Sequence, residues 1–215
     1  MKRILCYGDS NTWGFHAFPA KEGRAPERFD ENTRWTGRLQ KALGEDYHVY
    51  EAGLNGRTTV FEDYSLGGRS GIDSLPVVFE MADPLDLVVV MLGTNDVRDQ
   101  FISSTMFLVR CMERFLVRLK QLIAASFNPA CQILVIAPPK ANPDVEDPFA
   151  YTKEWADRIA ELPAGYEEVC ARMGVHFANG YDWAEPGLAD GLHLGAEGHA
   201  SFAAEIEKVI RSILE

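Results

Sequence analysis

Two stretches of the chain, LVVVML at 87–92 and ILVIA at 133–137, are apolar at every position. A strand with one face in water alternates apolar and polar side chains. An unbroken run needs cover on both faces, as in a parallel sheet with helices above and below it. Three more apolar runs bounded by turn formers, 4–7, 47–51 and 175–178, read as strands of the same sheet. Helical patterns fall between them. Trp35, Leu39 and Leu43 recur at i, i+4 and i+8, and Phe107, Cys111, Phe115, Leu119 and Leu122 form a stripe after Ser103 and Ser104, either of which suits a helix cap. The 151–173 stretch reads as two helical pieces interrupted at Pro163. Phe202, Ile206, Val209, Ile210 and Ile213 mark an amphipathic helix near the end. This alternation predicts an α/β fold of three layers, α/β/α, around a five-stranded parallel sheet in the flavodoxin-like order 2-1-3-4-5. In that order the chain reverses between strands 1 and 3, and ligands bind there, outside the carboxyl ends of the strands. GDSNTWG at 8–14 and GTNDVRD at 93–99 thus become neighbours.

A chain of 215 residues can bury the core of one such domain, so a single domain over 1–215 is expected. With 21 Lys and Arg against 32 Asp and Glu, the net charge of -11 opposes a phosphate backbone, and nucleic acid is excluded as a partner. Cys6, Cys111, Cys131 and Cys170 are far apart in apolar surroundings without zinc-ligand spacing, which predicts reduced packing residues and no metal. The apolar run after Lys2 and Arg3 is too short for a secretion signal, and no stretch approaches a membrane span. A cytoplasmic protein that does not engage membranes is the expectation.

Ser10 stands where a helix begins, so free backbone N–H groups and the helix dipole favour negative charge beside it. Read alone it is a helix cap or a nucleophile, and a nucleophile needs a base that is itself oriented. Of the five histidines, His16 lies in a loop, His48 and His176 in strands, and His199 in the last helix. His193 lies in ADGLHLGAEGH, in the loop after strand 5 and at the same end of the sheet as Ser10. Asp190, three residues earlier, is near enough to accept the Nδ1 proton, unless Asp190 and Gly191 are only a turn. A metal held by His193 and His199 lacks a third ligand nearby. Two further loops offer donors for an oxyanion: the backbone N–H of Gly56 in EAGLNGRTT and the side-chain amide of Asn95 in GTND. Either residue also suits a plain turn.

GDSNTWG, GLNGRTT, GTND and DGLHL, in this order and spanning residues 8 to 194, resemble the four blocks of the SGNH-hydrolase superfamily, the GDSL esterases and lipases. The resemblance implies Ser10 as nucleophile, His193 as general base and Asp190 as the acid that orients it. It also implies an oxyanion hole from the N–H groups of Ser10 and Gly56 and the Asn95 amide, with no metal or organic cofactor. Asn11 stands where the name-giving motif has Leu. WTG at 35–37 and RTT after Gly56 resemble the bacterial arylesterase and acyltransferase branch, which acts on small esters. The expected function is hydrolysis of small acyl or aryl esters through an acyl-enzyme, with acyl transfer to alcohols as a variation and carbohydrate O-deacetylation as an alternative.

Trp13, Phe15, Phe29 and Phe149, expected near the mouth, are candidates for a substrate pocket or for packing, with Trp13 and Phe15 the two named as substrate-binding. The segments 15–33, 58–70 and 138–148 read as rim loops, the first also as a surface for a homo-oligomer. From another class, a flavodoxin-like protein would use Ser10, Asn11 and Thr12 to cradle a flavin phosphate, which leaves Asp190, His193 and Asn95 without a task.

Overall fold

The structure, a computed structural model, describes residues 1–101, 104–145 and 153–215. Five parallel strands form the central sheet: β1 (Lys2–Gly8), β4 (Tyr47–Gly53), β5 (Leu87–Met91), β6 (Gln132–Ile136) and β7 (His176–Ala178), in the order β4-β1-β5-β6-β7. Counted along the chain without the short strands β2 (Phe15–His16) and β3 (Glu27–Arg28), this is the expected 2-1-3-4-5. The unbroken apolar runs have the expected cause. Leu5, Tyr7, Val88, Val90, Ile133 and Val135 enter one core cluster. Their alternates Ile4, Cys6, Leu87, Val89, Leu134 and Ile136 enter the other. Helices α3 (Gly71–Ala82), α4 (Thr105–Ala125) and α5 (Lys153–Met173) cover the first face, and α2 (Trp35–Leu43) and α6 (Ala196–Leu214) the second.

Three features depart from the expectations. Helix α5 is continuous through Pro163, not two pieces. Its stripe Ile159, Leu162, Tyr166, Val169 and Cys170 is buried, and Gly165 lies so close to Val109 of α4 that a Cβ there would meet Cγ2 at 2.3 Å. Packing of that stripe outweighs the roughly 3 kcal/mol that an interior proline costs a helix. Helix α3 occupies a stretch for which the sequence pattern had announced no element, and it carries Pro76 within it. The 15–33 segment contains an antiparallel hairpin, β2 against β3, in which Phe15 pairs with Arg28. Residues 146–148 of the third rim loop, and Phe149, lie outside the described residues. The four cysteines are free and buried.

Candidate active site

Strand β1 ends at Gly8, and one turn of helix, α1 (Ser10–Trp13), follows at once. The turn is this tight because Gly8 lacks a side chain: a Cβ there would meet Thr12 Oγ1 at 2.0 Å and the Met91 carbonyl at 2.9 Å. Asp9, not Ser10, is the helix cap, its carboxylate accepting the Asn11 N–H at 3.0 Å. Burial pushes the Asp9 carboxyl up to about 6, against the downward pull of that N–H and of His193. Because Asp9 does the capping, the Ser10 hydroxyl is left for another partner.

That partner is His193. Ser10 Oγ lies 2.9 Å from His193 Nε2, and His193 Nδ1 lies 2.6 Å from Asp190 Oδ2. The other Asp190 oxygen accepts the backbone N–H groups of Leu192 and His193, each at 3.0 Å. Burial resists ionisation of Asp190, but the hydrogen bond and charge of His193 and the two N–H donors outweigh it and hold the carboxyl below its ordinary range. An ionised carboxylate only accepts, so Nδ1 must carry the ring proton. In the neutral ring Nε2 then accepts from the Ser10 hydroxyl. The connected atoms can take a proton from Ser10 and stabilise the resulting imidazolium.

Asn11, two residues past Asp9, adds a tie that nothing in the motif announced. Its Oδ1 accepts the Leu194 N–H at 2.9 Å in a buried contact, so the turn that carries Ser10 is bonded to the residue that follows His193. Gly56 sits at φ 75°, a left-handed conformation that favours glycine. Asn95 donates one amide hydrogen to the Arg57 carbonyl at 3.1 Å, which holds the side chain and leaves its second hydrogen for a ligand. Arg57 is itself buried. Its guanidinium donates to the Gly8 carbonyl at 2.8 Å and to the Ala52 carbonyl, and it stacks 4.0 Å above the Tyr7 ring, binding the ends of β1 and β4 together. Asp96 of GTND accepts the Thr59 N–H at 2.9 Å and its hydroxyl, locking the loops after β4 and β5 to each other.

These residues surround a cleft of about 460 Å³ lined by Ser10, Gly56, Asn95 and His193, with Phe15, Asn55, Leu66, Arg69, Arg98, Gln100 and Trp155. The Phe15 ring lies 4.2 Å from that of His193. Trp13 does not line the cleft. It is turned toward Arg28, whose guanidinium covers its ring at 5.1 Å. Phe29 is also elsewhere, stacked on His16 at 4.1 Å. Leu66 and Arg69 had no motif to mark them, and Arg98, although within GTNDVRD, had been given no task. His199 is a buried structural residue: Nδ1 accepts the Trp35 N–H at 3.3 Å, and burial pulls the ring down to about 3, so it is neutral. Among the described residues no cluster of three His, Cys, Asp or Glu is arranged to hold a metal, and no helix is long and apolar enough to cross a membrane.

The model of the GDSL-like Lipase/Acylhydrolase family matches residues 6–201. The chain belongs to that family. This GDSL hydrolase is an α/β enzyme of the SGNH type, and its structural relatives are esterases. The native aryl esterase of M. smegmatis superposes with a TM-score of 0.91 at 31% identity, over 100% of both chains. Est24, a carbohydrate acetylesterase from Sinorhizobium meliloti, superposes with a TM-score of 0.91 at 30% identity, again over 100% of both. No curated protein matches the sequence. Membership sets aside the flavin-phosphate alternative. Asn11 and Thr12, which that reading turned toward a ligand, are buried behind the turn.

Proposed function

We propose that this GDSL hydrolase cleaves small acyl or aryl esters through a Ser10 acyl-enzyme, with His193 as general base and Asp190 as its orienting acid. The observation that carries this reading is the unbroken chain Asp190–His193–Ser10, with links of 2.6 and 2.9 Å, opening onto the cleft. Ser10 Oγ attacks the ester carbonyl while its proton passes to His193 Nε2. The charge that develops on the carbonyl oxygen is met by the N–H groups of Ser10 and Gly56 and the free amide hydrogen of Asn95. His193 returns the proton to the leaving alcohol. Water, or a second alcohol, then repeats the sequence in reverse and frees Ser10, so hydrolysis and acyl transfer share every residue.

Carbohydrate O-deacetylation is a second reading, supported by the full-length similarity to the Sinorhizobium acetylesterase. We take residues 1–215 as one catalytic domain, and the free, buried cysteines support a reducing compartment such as the cytoplasm. The test is hydrolysis of p-nitrophenyl acetate and butyrate by the wild type, Ser10→Ala and His193→Ala. Turnover by the wild type alone is expected. Equal rates in all three would remove this site from the reaction.

A further inference from the structure

The cleft above Ser10 is more positive than hydrolysis of a neutral acetate requires. Among the described residues, two guanidinium groups, Arg69 and Arg98, line it and no carboxylate does, although the whole chain carries a net charge of -11. Arg98 is compensated from behind, its Nη2 3.0 Å from the buried Asp63 carboxylate.

Arg69 is different. Its Nη1 donates to the Gly67 carbonyl at 2.6 Å, but Nε is buried without a partner. Among the described residues no carboxylate forms an ion pair with its side chain. Of the two acids on the loop before it, Asp63 pairs with Arg98, and Glu62 turns its oxygens to the backbone N–H groups of Arg69 and Ser70, at 3.1 and 3.4 Å. The buried Arg57 guanidinium adds positive charge close by. The Arg69 side chain also runs beside the oxyanion loop: a Cβ drawn on Gly56 would lie 3.7 Å from both its Cδ and its Nε, and 3.1 Å from Leu66 Cδ1. A half-buried guanidinium without a carboxylate partner among the described residues is thus held within a few bond lengths of the place a reacting carbonyl would occupy. A planar fork of donors in that setting matches a carboxylate.

Resting on the esterase reading above, we propose that Arg69 recognises a carboxylate on the substrate, so that the preferred esters are those bearing an anionic group a few bonds from the scissile carbonyl. The carboxylate belongs either to the acyl half, as in a monoester of a short dicarboxylic acid, or to the alcohol half, as in an acylated hydroxy acid. Both present the same chemistry to the guanidinium.

Two matched pairs separate the sources. Monomethyl succinate is compared with methyl 4-methylpentanoate, and 3-acetoxybenzoate with phenyl acetate, each followed by pH-stat titration with the wild type, Arg69→Gln and Arg69→Lys. The quantity read is the ratio of kcat/KM for the charged ester to that for its neutral partner. A wild-type ratio of about 10 to 100 in at least one pair is expected, the range for a hydrogen bond to a charged group. It should collapse toward one in Arg69→Gln and be partly kept in Arg69→Lys. The pair that shows the ratio names the half of the substrate that carries the carboxylate. A wild-type ratio near one in both pairs overturns the proposal, and so does a ratio that survives Arg69→Gln, even if both rates fall together. Hydrolysis of none of the four esters by the wild type would instead overturn the esterase reading, and this proposal with it.

Discussion

Asp190→Asn offers a sharp test of the site because the surroundings dictate how the new amide must sit. Asp190 Oδ1 accepts two backbone N–H groups at 3.0 Å each, and Oδ2 faces His193 Nδ1 at 2.6 Å. An asparagine keeps its oxygen toward the two N–H donors, since turning its NH₂ toward them would set donor against donor twice. Its NH₂ then points at His193 Nδ1 and makes that nitrogen an acceptor. The ring proton moves to Nε2, where it points at Ser10 Oγ, and the base is lost without any change of shape. The expected fall in kcat is about 10⁴-fold, close to 5.5 kcal/mol. The same substitution carries a stability signature. Asp190 is held below its ordinary range in the folded chain, so its ionisation stabilises the fold above the unfolded pKa, and this is lost as pH falls through the lower folded value. Asparagine does not titrate, so the variant should be less sensitive to acid over that window. Steady-state p-nitrophenol release and acid unfolding followed by circular dichroism read the two effects. A kcat within about tenfold of wild type, a change of only about 1.4 kcal/mol, would refute the tautomer argument.

Two further substitutions probe the supporting contacts. Asn95→Ala should lower kcat by about 10²- to 10³-fold, the usual worth of one oxyanion donor; unchanged turnover would remove Asn95 from the hole. Asn11→Ala leaves the buried Leu194 N–H without an acceptor and should lower stability by about 1 to 3 kcal/mol, read from the urea midpoint, with a loss of kcat as His193 loosens against Ser10. An unmoved midpoint would show that this hydrogen bond is dispensable.

The sheet was legible because burial on both faces leaves a mark in single strands: Leu87–Met91 needs no partner to be read. Ser10, Gly56, Asn95, Asp190 and His193 could be proposed from the sequence because each follows a strand at the carboxyl end of the sheet, in a block of recognisable type. Helix α3 was not, since Gly71 and Pro76 dilute a stripe of only Leu75, Phe79 and Ala82. Pro163 misled in the opposite direction, because the cost of a proline is local while the burial that offsets it comes from another helix. Arg69 and Leu66 lie in a segment shaped by single contacts, such as Asp63 accepting the Ser65 N–H and Glu62 those of Arg69 and Ser70, and such contacts have no period. The task of Asn11 depends on a residue 183 positions away and becomes visible only when the chain has closed.

The same span of 183 residues separates Ser10 from His193. During synthesis Ser10 emerges early, on the first strand, while the imidazole that engages it follows the last strand of the sheet. A growing or interrupted chain therefore holds an ordinary serine hydroxyl with nothing to draw off its proton. The Ser10–His193 contact forms only when β7 has joined the edge of the sheet and the segment beyond it folds back over the β1 turn. On the proposed reading, the distance along the chain between Ser10 and His193 acts as a safety catch, which keeps a half-made hydrolase from touching the esters around it.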